Sequence, residues 1–275
     1  MIKPAKFISK ILILCVIILF VSYYSLLLTI PDINFLKDHN PTRSSYMLDD
    51  SEYNLKKYPL KFISLKDMSR STFTAILVSE DDLFFKHHGF NWSELIKSFK
   101  LNIKKKRYVR GASTITQQLA RNLFLSKDKS ILRKVREWIL TYKLESTLEK
   151  DRILELYLNL AEFGPSIYGI QSASKYHFNK PPAKISSKQS ALLAAVLPNP
   201  KRLGQKPYPN STYKRQKRIV SRMHRYGVWL PKHLRGKTWK PPAIKRPSKH
   251  VAKQDSKIDF SVPDDINSED IFLDE

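Results

Sequence analysis

Residues 111–122 read GASTITQQLARN. Ile115, Leu119 and Leu123 recur at helical spacing, and Thr114, Gln118, Arg121 and Asn122 fall on one adjoining face at i, i+4, i+7 and i+8. A face of hydroxyl, amide and guanidinium groups suits sugars and phosphates. Two adjacent glutamines, Gln117 and Gln118, with no Glu/Lys ion-pair pattern set it apart from a merely solvated face. Ser113 or Thr114 stands where the helix begins, so the first backbone N–H groups are expected to be free for an anion.

The helical period continues on both sides. Apolar residues recur at i, i+3 or i+4 and i+7 over 71–84, 91–103, 113–125, 131–148, 151–161 and 187–197. Asn91 with Glu94, and Ser186 with Gln189, resemble capping boxes, and Pro198 and Pro200 stop the last helix. There is no internal repeat and no sustained two-residue alternation, so the expected fold class is mainly α. Residues 32–70 are mixed, and the alternation over 60–65 reads as a short strand or a linker.

Residues 79–89 read SEDDLFFKHHG. Glu80, Asp81 and Asp82 close a helix beside Phe84 and Phe85. A carboxylate against aromatic surface loses solvation and becomes a stronger base; the alternative is a helix end with solvated acids. His87 and His88 are adjacent and point apart on most backbones, so a metal site on them is not expected. In RKVRE, residues 133–137, Arg133 precedes Glu137 by four residues and Lys134 by three. This is either a surface salt bridge worth a few tenths of a kcal/mol or a phosphate-binding pair positioned by a carboxylate. KDRILELYLN, residues 150–159, reads chiefly as a packing helix, with Glu155 a buried or capping carboxylate. Residues 100–110 hold six Lys/Arg and no acid, a segment able to touch lipid phosphate.

Across all 275 residues, 49 Lys+Arg stand against 25 Asp+Glu, a formal charge of +24. The partner should be anionic: nucleic acid, a membrane surface or a phosphate-bearing substrate. One cysteine, Cys15, excludes a disulfide framework and a multi-Cys zinc site. With seven glycines and neither G-x-G-x-x-G nor G-x-x-x-x-G-K-[ST], a Gly-rich nucleotide loop is not expected. Residues 11–30, ILILCVIILFVSYYSLLLTI, are uncharged and follow Lys3, Lys6 and Lys10. Twenty such residues suffice for a membrane-spanning helix, and the lysines put residues 1–10 in the cytoplasm and the rest outside. No small-residue cleavage site follows, so an uncleaved anchor is expected. Residues 31–65 are then a juxtamembrane linker and 66–225 the main domain. Residues 201–257 hold 18 Lys/Arg and one acid, and 258–275 seven acids and no base; 226–275 is expected to be a disordered basic, then acidic, tail.

Four segments, in this order and spacing, resemble the peptidoglycan glycosyltransferases of glycosyltransferase family 51. They are E-D-x-x-F-x-x-H-x-G at 80–89, G-x-S-T-I-T-Q-Q-L-x-[KR]-N at 111–122, R-K-x-x-E at 133–137 and K-x-x-I-L-E-x-Y-L-N at 150–159. The stretch 159–169 and the run ALLAAVLPNP, residues 191–200, look most like the monofunctional biosynthetic branch. Bifunctional relatives add a transpeptidase with K-T-G; no K-T-G occurs here, and about 75 residues follow Pro200, so that domain is not expected. Arg121 stands where the family often has lysine, and the family's fifth, Arg-rich motif has only a loose counterpart in 214–223, to which no roles are assigned.

The resemblance implies a lysozyme-like, mostly helical domain with a small lobe near the membrane. It also implies polymerisation of lipid II at the outer face of the cytoplasmic (inner) membrane. Glu80 is carried over as general base and Glu137 as the second carboxylate, which would orient Arg133 or a divalent cation, or assist departure of the leaving group. Asp81, Phe84, His87, Ser113, Thr114, Gln117, Gln118, Arg121, Asn122, Arg133 and Lys134 are carried over as the substrate and pyrophosphate-binding set. The resemblance leaves open Mg2+ or Mn2+ as cofactor and implies no organic one. Expected partners are lipid II, the nascent glycan strand, anionic membrane lipid and other cell-wall synthesis proteins, but not nucleic acid. Two other readings compete. One is a lysozyme-like lytic enzyme, which has no need of cations at 121, 133 and 134. The other is a membrane-anchored basic binding protein.

Overall fold

The computed structural model describes residues 12–14, 16–17, 20, 30–51, 53, 58–107, 111–128, 130–225 and 230–234. Its helices are α1 (Ser45–Leu48), α2 (Arg70–Glu80), α3 (Trp92–Lys105), α4 (Ile115–Phe124) and α5 (Ile131–Thr147). They continue with α6 (Lys150–Leu160), α7 (Ile170–Phe178), α8 (Ser187–Val196), α9 (Pro200–Leu203) and α10 (Asn210–Arg225). Among the described residues there is no strand, only one antiparallel bridge between Glu162 and Tyr168. The mainly α expectation holds.

The helices form two groups. α2, α8 and α10 pack on one another, and α4 packs on α5 and α6, with α1 laid on α4. α6 and α8 supply the centre. In α6 every residue from 153 to 160 except Glu155 is buried, and in α8 every residue from 190 to 196. A helix apolar on nearly all sides belongs in a core rather than at its edge.

Helix ends follow local chemistry. The period over 71–84 overruns, because α2 stops at Glu80 and Asp81 turns out of helical geometry (φ −162°, ψ 77°). At α8 the Ser186–Gln189 capping box forms in full, with Gln189 N donating to Ser186 Oγ and Ser186 N to Gln189 Oε1. At α3 the first half forms, Glu94 N donating to Asn91 Oδ1 at 3.1 Å. Gly169 opens α7 at φ +77°, and a Cβ there would stand 2.5 Å from the Asn159 carbonyl oxygen.

The stretch read as a linker is packed in. Ile33, Leu36 and Met47 are buried in the core. Arg152 ties this stretch down, its Nε donating to Leu36 O and its Nη2 to His39 O, both at 2.8 Å. Residues 60–65 are held by side chains rather than by a strand partner. Asn159 exchanges two hydrogen bonds with Ile63, and Leu65 N donates to Glu155 Oε2 at 3.1 Å. Glu155, whose other oxygen takes Arg152 Nη1 at 2.7 Å, is therefore the capping carboxylate expected.

A buried histidine locks the far end. His177 Nε2 donates to Phe163 O (2.7 Å), and a carbonyl can only accept, so Nδ1 is the acceptor for Tyr208 OH (2.6 Å). Burial pushes the His177 pKa down to about 4.

Of the proposed span 11–30, residues 12–14, 16, 17 and 20 are helical, and Leu12, Leu14 and Phe20 are exposed. Most of the remainder lies outside the described residues, as does the tail beyond 234. Among the described residues no helix is long and apolar enough to cross a membrane. Of the expected tail, Leu230 is buried against the core and His233 contacts Asp151.

Candidate active site

The end of α2 meets α4 and α10 at Glu80. Ser79 Oγ (2.9 Å) and Arg215 Nη2 (3.1 Å) donate to its Oε1, and Gln118 Nε2 donates to Oε2 at 3.2 Å. Arg215 also donates to Ser79 Oγ at 3.0 Å. Tyr157 OH, from the buried helix α6, donates to Gln118 Oε1 at 2.8 Å, which fixes the amide so that its nitrogen faces Glu80. Burial and the charge of Glu80 push the Tyr157 phenol well above its usual pKa, so it stays a donor. A carboxylate has about four acceptor positions. Oε1 carries two donors and Oε2 one, so Oε2 keeps room for another proton.

A second cluster sits on α5. Glu137 is fully buried, with Arg133 Nη1 on Oε2 at 3.1 Å and Lys134 Nζ on Oε1 at 2.5 Å. The spacing of RKVRE resolves in favour of a buried pair rather than a surface one. A buried carboxylate is tolerated only when paired and hydrogen-bonded, and here each oxygen has its own cation. The reverse holds too: Glu137 fixes both cations.

Arg121 stands on α4 with Gln118, and α4 packs on α5, the helix of the second cluster. Its charge acts on Tyr157 beside Glu80 and on Tyr46 beside Arg133 and Glu137. Its side chain makes no hydrogen bond or ion pair among the described residues, and its Nε is buried without a partner. A half-buried guanidinium left unpaired is a place for an anion.

The other residues of the expected set hold this geometry from behind. Asp81 is buried, with Oδ1 on His87 Nε2 (2.9 Å) and Oδ2 accepting from Ile115 N (3.0 Å). Thr114 and Gln117 form a capping box with each other, and Thr114 Oγ1 also donates to Gly89 O at 2.7 Å. The α4 N-terminus is therefore not an open anion site. Its anion is the Asp81 carboxylate, and the N–H groups of Ile115 and Gln117 are already taken. Phe84 is fully buried, with Lys150 Nζ 4.4 Å from its ring centroid. Ser113 and Asn122 are half-buried at opposite ends of the α4 segment.

Among the described residues, no group of three or more His, Cys, Asp or Glu side chains is placed to hold a metal ion. Glu137, the carboxylate to which a divalent cation was tied, has both oxygens committed to Arg133 and Lys134. The residues present do not fit a resident divalent ion at that point.

Arg215 and Tyr157 are site residues that motif reading did not single out. The one available signal for Arg215 was the loose Arg-rich stretch 214–223.

The transglycosylase family model matches residues 51–224. Among curated proteins, the chain is similar to the biosynthetic peptidoglycan transglycosylase of Chromobacterium violaceum, 41% identical over 175 residues, covering 61% of this chain and 75% of that protein. The protein of the same name from Janthinobacterium sp. is 43% identical over 169 residues, covering 60% and 73%. That from Paraburkholderia phytofirmans is 38% identical over 189 residues, covering 66% and 78%. The four motifs, their helical setting and a match over most of the described domain agree: the chain belongs to the transglycosylase family.

Proposed function

We propose that this chain polymerises peptidoglycan glycan strands from lipid II at the outer face of the cytoplasmic membrane. One observation carries the reading. Gln118, which donates to the carboxylate of Glu80, and Arg121, whose side chain is unpaired among the described residues, share α4, and α4 packs on α5, which carries Arg133 and Lys134. A base at one end and a cation cluster at the other suit an acceptor hydroxyl and a pyrophosphate leaving group.

In this reading Glu80 Oε2 takes the proton of the GlcNAc 4-hydroxyl of lipid II. That oxygen bonds to the anomeric carbon of the growing chain's terminal MurNAc. The carbon–oxygen bond to undecaprenyl pyrophosphate breaks on the opposite face, so the configuration inverts. Arg121, Arg133 and Lys134 neutralise the departing pyrophosphate, and Glu137 holds the last two in place. A general base contributes roughly 10²–10⁴ in rate, and preorganised charge at a leaving group a comparable factor.

Exposed apolar surface supports the membrane setting. On α3, Trp92, Ile96, Phe99 and Ile103 recur along one face and are 52–66% exposed. On α5, Ile131, Val135, Trp138 and Tyr142 also recur along one face and are 40–86% exposed. Phe90 joins the two stripes, stacked on Trp92 at 5.5 Å and edge-on to Trp138 at 6.1 Å. A surface of this kind beside a run of lysines marks an interaction site, here anionic lipid.

The reading is tested with labelled lipid II and the full chain in detergent. Long glycan that lysozyme digests is the expected product. Shortening of preformed glycan, with no new polymer, would move the reading to the lytic alternative.

A further inference from the structure

Helix α10 has no acid in its sixteen residues, NSTYKRQKRIVSRMHR, and its charge is not spread evenly. Thr212 and Ile219 are buried, and Val220 and Met223 pack against the core, so one side of the helix is committed. Lys214, Lys217, Arg218, Ser221 and Arg222 recur at i, i+3, i+4, i+7 and i+8, which puts them on the side away from that core. All five are exposed. Arg222 reaches one carboxylate, Asp82 Oδ2 at 3.4 Å, which is itself half exposed. Lys217 and Arg218 meet no carboxylate among the described residues. Arg215 stands at the border of this stripe and holds Glu80. The stripe is therefore a row of like charges with almost no counter-charge on the folded domain.

The sequence carries the missing acids. Residues 258–275 hold seven acids and no base, and six of the seven come in pairs, at 264–265, 269–270 and 274–275. Residue 258 comes 24 positions after Leu234, where the chain lies against α6 through His233 and Asp151. An unfolded chain of that length averages roughly 25–30 Å end to end, against a radius of gyration of about 16 Å for a domain of about 200 residues. Every face of the domain is within reach. A tether of this kind holds its end at an effective concentration on the order of millimolar, enough for a set of exposed ion pairs that are individually weak.

We infer that residues 258–275 dock on the cationic stripe of α10. Their paired acids meet Lys214, Lys217, Arg218 and Arg222, and the segment lies along the helix that carries Arg215. So placed, it neutralises cations that would otherwise draw anionic lipid or another polyanion to the side of the domain next to Glu80. This goes beyond the polymerase reading and does not rest on it.

The test is zero-length carbodiimide cross-linking of the full chain in detergent, read by peptide mass spectrometry. It joins a lysine amine to a carboxylate only where the two touch. The expected product is a link within one chain from 258–275 to Lys214 or Lys217. Arg218→Gln with Arg222→Gln leaves both reactive lysines in place and removes two of the four cations of the stripe. The link should then fall about fivefold, the scale of losing two exposed ion pairs, with the melting temperature near wild type. Should that variant be destabilised, 1 M salt on the wild-type chain, which shortens the screening length to about 3 Å, should give the same loss. No link to α10, or links confined to lysines elsewhere, those of 97–106 included, would overturn the inference. So would a link to α10 that neither the double substitution nor salt weakens. Links found only between two chains would assign the stripe to a second copy and overturn docking within one chain. None of these results bears on lipid II turnover, so the polymerase reading stands or falls separately.

Discussion

Arg215 Nη2 lies 3.1 Å from Glu80 Oε1, bringing α10 onto the end of α2 from 135 residues away. The same nitrogen reaches Ser79 Oγ, so one guanidinium fixes two consecutive residues of the turn. Arg215 is a positioning residue for the carboxylate.

Arg215→Ala frees the Glu80 carboxylate to rotate away from its working orientation. Misplacing a reacting group by about 1 Å can cost on the order of 10²-fold in rate. The expected result is a fall in kcat of about tenfold to a hundredfold with KM for lipid II little changed. Arg215→Lys, which keeps charge but not the fork, should recover part of it. A variant with wild-type kcat would remove Arg215 from the site.

Tyr157→Phe deletes the hydroxyl that orients Gln118 and leaves Gln118 Oε1 unpartnered in a half-buried setting. An unmet buried acceptor costs about 1–3 kcal/mol. Denaturant unfolding should show that loss, and turnover should fall because the amide can flip its oxygen toward Glu80. Full turnover with full stability would show that the Tyr157–Gln118 contact positions nothing.

Much of this site was legible in local spacing, and the rest was not, for a physical reason. Arg133, Lys134 and Glu137 share one helix, so i+3 and i+4 periodicity already brings them together. The contacts that set Glu80 come from elements far apart in the chain: Gln118 is 38 residues on and Arg215 135. α10 carries a basic residue at nearly every turn, and nothing local marks Arg215 from Lys214 or Lys217. The reading of the α4 N-terminus as an anion site was right about the donors and wrong about the anion, because Asp81 arrives from 34 residues away. Helices α2 to α6 and α8 follow from apolar periodicity. α10 did not, because its period is carried by solvated cations around few apolar positions, among them Ile219.

His177 predicts an acid sensitivity. Its folded pKa of about 4 lies below the unfolded value near 6.5, so between those values the unfolded chain binds the extra proton. Stability is unaffected by this group above about pH 6.5 and falls as pH drops toward 4. The loss is at most about 3 kcal/mol, from roughly 1.4 kcal/mol per pH unit. Unfolding followed from pH 7 to 4 should show a shallower decline in His177→Gln than in the wild type. Parallel slopes would mean that His177 titrates normally.

Gly169→Ala places a methyl 2.5 Å from the Asn159 carbonyl at a φ of +77°. Asn159 is buried and stitched to Ile63, so its backbone cannot give way cheaply. The expected destabilisation is about 2–4 kcal/mol, read as a lowered melting temperature. An unchanged melting temperature would mean that the α6–α7 corner is looser than its geometry indicates.

If Glu80 is the base of the proposed polymerisation, Glu80→Gln removes it. Glutamine keeps the size of the side chain and an oxygen for Gln118 or Arg215, but it cannot take a proton. Steady-state turnover of lipid II by the full chain and by Glu80→Gln should differ by roughly 10²–10⁴ in kcat, with lipid II binding and melting temperature close to wild type. Near-normal turnover by Glu80→Gln would contradict the claim and move the base elsewhere in the site.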